Sequence, residues 1–358
     1  MDERKYVDAV RQDLQQRKSD FLLKVASVRT VLAELELDGA VLSYAHNFAW
    51  LTGGGRLFIN MATDGGVGSL YVDATQIVLL TNEIEGHRLI HEELNGLQGE
   101  IKLQESPWYA AQSALDLAKT LAGSDRVAMD TTGGAFADRI GELRVTLTEH
   151  EIALFRALGK DCGRVIADVA RGRVDTIRHP LPTPKRVKNK AMLVLCGRRA
   201  GFVLSVTRMV YITTTPGATI PAELLRRHEA ATYVDALVIA KTVPGAVASD
   251  LFKEIQAAYA AKGFDGEWKL HHQGGCAGYQ SREWIANPVL QRVVGKNQAY
   301  AWNPSVTGTK SEDTVLMQQA ASGHVTHEVL SASPGWPVVE HTIGDVTIAR
   351  PGILHLAF

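Results

Sequence analysis

The sequence is poor in cysteine and has no excess of either charge, and these two shortages exclude several classes of protein. Its three cysteines, Cys162, Cys196 and Cys276, are far apart and form no CxxC pair, which argues against a disulfide scaffold and against a structural zinc knuckle. The 38 Lys and Arg residues balance 39 Asp and Glu residues, giving a formal net charge of -1. Such a chain has no basic field to attract nucleic acid or an anionic membrane. We therefore expect a small molecule or a short peptide as its partner.

Long apolar runs are also missing. No stretch reaches the roughly 18 apolar residues that a membrane span needs, and the N-terminal segment MDERKYVDAVRQDLQQRK is charged and helical in pattern rather than a signal core. We therefore expect no membrane partner and a cytoplasmic location. The chain has 358 residues, of which 46% are hydrophobic, so it is long enough for two domains of roughly 150 residues each.

The first part of the chain alternates helices and strands. From Phe21 to Leu35 apolar residues recur at three- and four-residue spacing, which is typical of an amphipathic helix. Short apolar runs typical of strands follow at 39–43, 69–72, 77–80 and 126–130, and helical stretches lie at 83–95 and 110–122. This alternation predicts an α/β domain over residues 1–147.

The pattern changes at Thr148. Thr148 and Glu151 have the spacing of a capping box, which marks the start of a helix. The remaining pattern predicts a proline-rich loop at 179–184, strands at 192–195 and 202–212, a pair of helices across 221–262 and further strands to the C-terminus. This α+β layout predicts a second domain over residues 148–358.

Three polar segments of the second domain are candidates for chemistry. The segment HHQGGCAGYQSREWIANP, which follows Leu270, is so rich in glycine and polar residues that it predicts a site loop rather than a helix or a core strand. The segment NPSVTGTKSEDTVL places Glu312 beside an apolar strand, where burial would shift the pKa of its carboxyl group. His179 begins the rigid segment HPLPTP. The sequence contains no GxSxG, P-loop or HExxH motif.

Taken in order, these segments resemble the C-terminal domain of the pita-bread family, which includes methionine aminopeptidase, Xaa-Pro aminopeptidase, prolidase and creatinase. The segment Ser43-Tyr-Ala-His-Asn47, followed by Trp50-Leu-Thr-Gly53, is similar to the N-terminal domain of creatinase and prolidase. The resemblance spans essentially the whole chain. It implies a creatinase/prolidase-like α/β domain, then an α+β pita-bread domain, in a homodimer.

The family's metallopeptidases hold two divalent metals with two aspartates, one histidine and two glutamates. The resemblance places Val194 and Ser205 at the aspartate positions, Gly275 at the histidine and Asn303 at the first glutamate. Only Glu312 is of a ligand type. One carboxylate cannot hold an ion that takes five or six oxygen and nitrogen donors, so we predict neither a metal nor another cofactor.

The surviving residues resemble the set used by creatinase, a family member that hydrolyses a C–N bond without metal. The resemblance implies that His179 and His271 act as acid and base and that Glu312 is the catalytic carboxylate. Arg282 stands in place of a family histidine and could bind a substrate carboxylate. The full set of residues expected to bind substrate is Arg282, Glu283, Tyr279, Arg208, Asn303 and His272.

These residues predict a metal-independent hydrolase of a C–N bond in a small zwitterionic or amino-acid-like substrate. The same residues could instead run a lyase or isomerase reaction on a small carboxylate, because proton transfer is common to both. Loss of ligands is also the mark of a pseudo-peptidase kept as a binding module. A metal-dependent Xaa-Pro aminopeptidase is disfavoured, because it would require the alignment to be wrong at four sites at once.

Overall fold

The computed structural model describes residues 3–60, 62–110, 112–172 and 189–357. The chain divides into two compact units, the first comprising Met1–Leu154 and Arg199–Phe202, the second Phe155–Arg198 and Val203–Phe358. His179 lies outside the described residues. Within the described ranges, no helix is both long enough and apolar enough to cross a membrane.

The first unit is built on one mixed sheet. Its strands are β1 (Gly39–Tyr44), β2 (Gly65–Val72), β3 (Ile77–Asn82), β4 (Lys102–Ser106) and β5 (Val127–Met129), in the order β4-β3-β2-β1-β5. The pairs β1–β2 and β2–β3 are antiparallel, whereas β3–β4 and β1–β5 are parallel. The helices are α1 (Glu3–Glu34), α2 (Ala45–Thr52), α3 (Gly86–Arg88), α4 (Ala114–Ala122) and α5 (Ala135–Arg144). The predicted α/β class is therefore confirmed.

Two predicted helices of this unit differ in detail. The stretch predicted over 83–95 is the single turn α3 followed by a π-helix at Leu89–Glu93. The helix predicted over 110–122 begins only at Ala114, after a 3-10 turn at Trp108–Ala110. Short apolar spacing alone does not distinguish these tighter and wider turns from an α-helix.

Buried polar side chains hold the first unit together. Asp130 accepts hydrogen bonds from the backbone N–H groups of Ser43 and Tyr44, at 2.9 and 3.0 Å, and from Asn47 Nδ2 at 2.8 Å. Arg144 donates to Asn47 Oδ1. The Ser43–Asn47 motif therefore stabilises the junction of β1 and α2, because each of these buried polar groups has a partner.

The long helix α6 (Glu149–Ala170) begins at the predicted capping box. Thr148 Oγ1 accepts a hydrogen bond from Glu151 N at 3.2 Å, and Glu151 Oε2 accepts one from Thr148 N at 2.8 Å, so this prediction is confirmed. Further along α6, a Cβ atom on Gly159 would lie 2.3 Å from Leu330 O. Glycine therefore allows the helix to pack directly against the backbone of the turn that follows the strand Val325–Val329.

The second unit combines helices with several antiparallel strands. Its helices after α6 are α7 (Ala222–Lys241) and α8 (Ala248–Ala261). Its strands are β6 (Lys190–Arg199), β7 (Phe202–Thr213), β8 (Gly274–Ala277), β9 (Trp284–Ile285), β10 (Gln298–Trp302), β11 (Ser305–Val306), β12 (Thr309–Lys310), β13 (Asp313–Gln319), β14 (Val325–Val329), β15 (Val338–Ile343), β16 (Val346–Pro351) and β17 (Ile353–Ala357). They form a five-stranded sheet, β14-β13-β10-β8-β9, a three-stranded sheet, β17-β7-β6, and the pairs β11–β12 and β15–β16. This arrangement confirms the predicted α+β class.

The glycine-rich segment after Leu270 is not the loop that its composition predicts. Residues Gly274–Ala277 form β8, a fully buried strand between β10 and β9. A Cβ atom on Gly274 would lie 2.2 Å from Ala301 O, and one on Gly275 would lie 2.2 Å from Trp284 O. Here glycine allows the neighbouring strands to approach closely, which a composition-based reading treats as a cost.

The two sheets of the second unit meet at β7. Thr207 forms an isolated antiparallel bridge with Glu312, and its N–H donates to Glu312 O at 3.1 Å. Near the start of the same strand, Val203 N donates to Gly278 O at 2.8 Å. These contacts bring the polar segments around 205, 280 and 312 to one place.

A buried histidine on α7 makes the stability of this unit depend on pH. His228 Nε2 lies 2.9 Å from Pro351 O and its Nδ1 lies 2.6 Å from Thr309 Oγ1. A carbonyl oxygen only accepts, so Nε2 carries the proton and Nδ1 accepts from the threonine hydroxyl. Burial lowers the pKa of His228 from 6.5 to about 4. The unfolded chain therefore binds more protons than the folded one between these two pH values.

We expect His228 to reduce the free energy of unfolding by about 1.4 kcal/mol for each pH unit below 6.5, until pH 4. Urea denaturation at several pH values measures the slope. The variant His228→Gln should lose the contribution of His228 to this pH slope. The variant His324→Gln, which changes an exposed histidine, should keep the slope of the wild type. Equal slopes in the wild type and His228→Gln would contradict the assignment.

Candidate functional site

The candidate site centres on Glu312, which lies between two cations. Its Oε1 is 2.9 Å from Arg282 Nη2, and its Oε2 is 2.8 Å from Lys310 Nζ and accepts from Thr207 Oγ1 at 2.6 Å. The side chains of Arg282, Glu312 and Lys310 are only 8%, 4% and 10% exposed. Burial by itself raises the pKa of Glu312, but the charges of Lys310 and Arg282 and the hydrogen bonds to its carboxylate outweigh burial and lower it. Glu312 is therefore ionised at neutral pH.

Three separate elements of the fold bring these side chains together. Thr207 lies on β7, Lys310 ends β12, and Arg282 follows β8 through a turn. Arg282 Nη1 also donates to Ser281 O at 2.6 Å, which holds the guanidinium in place at the end of that turn. The cluster is thus fixed by backbone pairing on one side and by a local hydrogen bond on the other.

The neighbouring strand β6 contributes an apolar residue and a thiol. Ser205 Oγ accepts a hydrogen bond from Arg282 Nη1 at 3.3 Å and lies 3.7 Å from Cys196 Sγ. Cys196 is exposed, and Val194, two residues earlier and hence on the same face, is 49% exposed. The two positions expected to carry aspartates therefore present a methyl-bearing side chain and a hydroxyl.

Two adjacent histidines lie near enough to the cluster for its charges to act on one of them. The rings of His271 and His272 stack with their centroids 4.5 Å apart, and His271 Nδ1 donates to His272 O at 2.6 Å. His272 is exposed, but partial burial of its ring, together with the charges of His271, Arg282 and Lys310, outweighs the attraction of Glu312 and lowers the pKa of His272 to about 4. His272 is thus neutral at pH 7 and close enough to these cations to feel their charge.

Arg208, expected to bind substrate, belongs instead to a buried network behind the cluster. All five of its N–H donors are used within the protein. Nε donates to Ser333 Oγ at 2.9 Å, Nη1 to the carbonyls of Thr207 and Glu312 at 2.8 and 3.3 Å, and Nη2 to Asp313 Oδ1 and Ser331 O at 2.8 Å each. Along β7, Thr207 faces Glu312, so the next residue points to the opposite side of the strand. Arg208 therefore has no donor left for a ligand.

The other residues expected to bind substrate lie at different places. Tyr279 is buried at 3% exposure, and Glu283 Oε1 accepts from Gln280 N at 3.2 Å within the turn before β9. Asn303 is 2% exposed and directly follows β10, where Trp302 pairs with Asp313. Its Oδ1 is buried and has no hydrogen-bond partner in the described part of the chain.

Sequence reasoning did not single out Lys310 or Cys196. Lys310 is two residues before Glu312, and a period of two places extended residues on one face, so the signal was present in the segment TKSE. Cys196 is likewise two residues after Val194 on a strand. Neither residue stands at a position that the family uses for a metal ligand, so the resemblance does not point to it.

The residues present do not fit the two metals that the family's peptidases hold. Val194 and Gly275 offer no side-chain donor, and a Cβ atom on Gly275 would collide with Trp284 O. The remaining carboxylate, Glu312, is already paired with two cations. Among the residues the structure describes, no group of three or more His, Cys, Asp or Glu side chains could hold a metal ion.

Comparison with solved structures confirms the fold. The prolidase from Pyrococcus horikoshii OT3 matches with a TM-score of 0.63 and 14% sequence identity, over 87% of this chain and 98% of that one. The dipeptidase PepE from Mycobacterium ulcerans matches with a TM-score of 0.67 and 14% identity, over 95% and 99%. The N-terminal domain of the FACT complex subunit SPT16 from Cicer arietinum (chickpea) matches with a TM-score of 0.52 and 12% identity, over 89% and 96%.

Comparison with family models and with curated proteins gives no match. At these identities the similarity to solved structures establishes the fold alone. The chain has a creatinase/prolidase-like N-terminal domain followed by a pita-bread domain, as the ordered motifs predict.

Proposed function

We propose that this protein is a metal-independent enzyme that hydrolyses a C–N bond in a small zwitterionic or amino-acid-like substrate. The observation that carries the proposal is a neutral histidine, His272, beside the buried Arg282–Glu312–Lys310 cluster. A neutral imidazole can accept a proton at pH 7, and positioned proton transfer of this kind contributes about 100- to 10,000-fold to a rate. The cations supply the fixed positive charge that a metal ion would otherwise provide.

The hydrolysis needs one base that later acts as an acid. In our proposal His272 takes a proton from the water whose oxygen attacks the substrate carbon. After the C–N bond breaks, the protonated imidazole returns that proton to the leaving nitrogen. His271 is stacked on His272 and uses its Nδ1–H in the bond to His272 O, so its Nε2 is left unprotonated in the neutral ring and is the second candidate base.

Glu312 has a different part in this scheme from the catalytic one expected from sequence. Its two oxygens are occupied by Arg282, Lys310 and Thr207, and its pKa is lowered. An ionised carboxylate with these partners has no proton to give, and protonating it would break its pairing. We therefore assign Glu312 as the internal counterion of the two cations rather than as a catalytic residue.

Two other functions follow from the same site. A lyase or isomerase acting on a small carboxylate would use the same neutral histidine. A non-catalytic binding module is supported by the match to the SPT16 domain, which is named as a subunit of a complex rather than as a peptidase.

The proposal retains the cytoplasmic homodimer expected from the sequence, and sedimentation equilibrium tests the dimer.

Turnover of a defined substrate panel, with and without a chelator, tests the proposed function. The panel contains N-acetylglycine, guanidinoacetate and a Gly-Pro dipeptide, and mass spectrometry detects the cleaved products and any isomer or elimination product. We expect cleavage of a non-peptide C–N bond at an unchanged rate after treatment with 1,10-phenanthroline and EDTA, because the donor set does not fit a metal. The metal content of the purified protein, measured in parallel, should be far below one equivalent.

Three results would count against the proposal. Activity that disappears on chelation and returns with manganese, cobalt or zinc would favour a metallopeptidase. Isomerised or eliminated products would favour the lyase or isomerase. Binding without any turnover across the panel would favour the binding module.

A further inference from the structure

The buried charges of the second unit do not balance. In the layer behind the candidate site, the cations Arg208 and Arg350 face the carboxylates Asp313 and Asp235, so that layer is neutral. In the site itself, Arg282 and Lys310 share the single carboxylate of Glu312. Since His272 is neutral there, one buried positive charge has no counterion among the described residues.

An unpaired buried charge is costly, because removing an ion from water costs several kcal/mol unless a partner of opposite charge compensates. Arg282 and Lys310 are both at least nine-tenths buried, so bulk water screens them poorly. In addition, Arg282 Nε is buried and has no acceptor in the part of the chain that the structure describes. A donor and a positive charge are thus both left without a partner in the described part of the chain.

We propose that Arg282 and Lys310 together bind one carboxylate group of the substrate, and that Lys310 is a substrate-binding residue. One carboxylate would accept from the Arg282 guanidinium and from the Lys310 ammonium and would bring the site to neutrality. A second carboxylate would leave it negative. The substrate class is therefore a small molecule with a single carboxylate, placed next to His272.

The apolar residue on β6, the strand next to β7, fits the same class. Val194 is on the strand whose exposed face also carries Cys196, and Ser205 links that face to Arg282. A short aliphatic portion of the ligand could lie against Val194 while its carboxylate is held by the cations. This inference rests on the proposed function only in placing the carboxylate next to the reacting bond.

Isothermal titration calorimetry with N-acetylglycine and its uncharged analogue N-acetylglycinamide, at neutral pH and low salt, tests the carboxylate site. We expect N-acetylglycine to bind at least about tenfold more tightly, because the two probes differ only in the charged group. Lys310→Met should weaken its binding by about tenfold or more, whereas Lys310→Arg should retain most of it.

Variants that change the net charge of the site test whether that charge determines carboxylate binding. Glu312→Gln removes the internal counterion and should tighten N-acetylglycine binding by about tenfold. The double variant Lys310→Met/Glu312→Gln has the same net charge as the wild type and should bind with similar affinity. A structural defect cannot produce this pattern, because a defect would weaken binding in all three variants.

Alkylation of Cys196 reports on the same place. Cys196 is exposed, whereas Cys162 and Cys276 are buried, so iodoacetamide should modify it first in the folded protein. N-acetylglycine should slow that reaction and N-acetylglycinamide should not, since Ser205 connects the thiol to Arg282. Mass spectrometry of the labelled peptide measures the rate.

The inference is overturned if N-acetylglycine shows no saturable binding, if the two probes bind equally, or if Glu312→Gln weakens binding. Carboxylate binding that follows the charge pattern without any turnover would remove the hydrolase and leave this site. Hydrolysis with no dependence on Lys310 would remove this site and leave the hydrolase. The two proposals can therefore fail separately.

Discussion

The variant Arg350→Met should lower the free energy of unfolding by about 3 to 5 kcal/mol, because it leaves the buried Asp235 without its cation and Asp313 with Arg208 alone. Arg350 is 1% exposed. Its Nε donates to Asp235 Oδ2 at 2.8 Å, and its Nη2 lies 2.9 Å from Asp313 Oδ2. Asp235 is fully buried and already has a pKa raised to about 6 by burial, despite the attraction of Arg350. Removing the arginine takes away the charge that contributes most to keeping the Asp235 carboxylate ionised.

The pH dependence of this loss has a definite sign. A carboxyl group whose folded pKa is above its unfolded value destabilises the fold when it is ionised, and this penalty shrinks as the pH falls from the folded pKa, about 6 for Asp235, to the unfolded value of 3.8. The deficit of Arg350→Met should therefore be smaller at pH 5 than at pH 8. Urea denaturation at both pH values measures it, with m-values checked for two-state behaviour.

A surface arginine of the same unit serves as the matched control. Arg164 on α6 is 60% exposed and lies 3.7 and 3.8 Å from Asp161 and Asp168. The variant Arg164→Met should change stability by less than about 1 kcal/mol, since exposed ion pairs contribute little. If Arg350→Met costs no more than this control, the interior network is not the stabilising element that its geometry indicates.

The sequence predicted this fold from motifs that are local, and it succeeded where local chemistry determines structure. Thr148 and Glu151 form the reciprocal bonds that their spacing predicts, because a capping box needs only a few consecutive residues. The ordered motifs were sufficient to predict a fold shared with structures of about 14% identity. They specify where strands and turns fall even when the side chains of the site have changed.

The predictions from sequence were wrong where packing between distant parts of the chain determines the structure. The segment around Gly274 reads as a loop, but its lack of side chains is what permits β8 to lie between β10 and β9. Arg208 was expected to bind substrate, but Thr207 faces Glu312 and strand alternation directs the next residue into the buried network instead. Partner strands and the face of each residue are not visible in composition, so neither outcome could be read from the chain alone.

The same limit explains why Lys310 was overlooked. The family motifs indicate only which metal-ligand positions keep a ligand residue, and Glu312 is the one that does. The structure adds what surrounds that carboxylate, namely two buried cations. The net charge of the site becomes apparent only when the charged side chains from separate elements of the fold are counted together.

The variant His272→Gln should lower kcat/KM for the true substrate by about 100- to 10,000-fold, the range expected when a proton-transfer group is removed. Glutamine preserves some hydrogen-bonding capacity but cannot take up a proton. In the wild type the pKa of His272 is about 4, so kcat/KM should stay level from pH 7 to about pH 5 and fall as the pH approaches 4, where the imidazole becomes protonated. His324→Gln, at an exposed site, should leave both the rate and the pH profile unchanged.

The comparison with His271→Gln decides which histidine is the base. His271 packs on His272 and bonds its carbonyl, so its loss should reduce kcat/KM through misplacement of its neighbour while the acidic limb of the pH profile survives. If instead His271→Gln removes that limb and His272→Gln keeps it, the base is His271, one of the two histidines that the family resemblance implied for acid and base. Thermal melting of each variant, which should match the wild type within a few degrees, separates either result from a loss of folding.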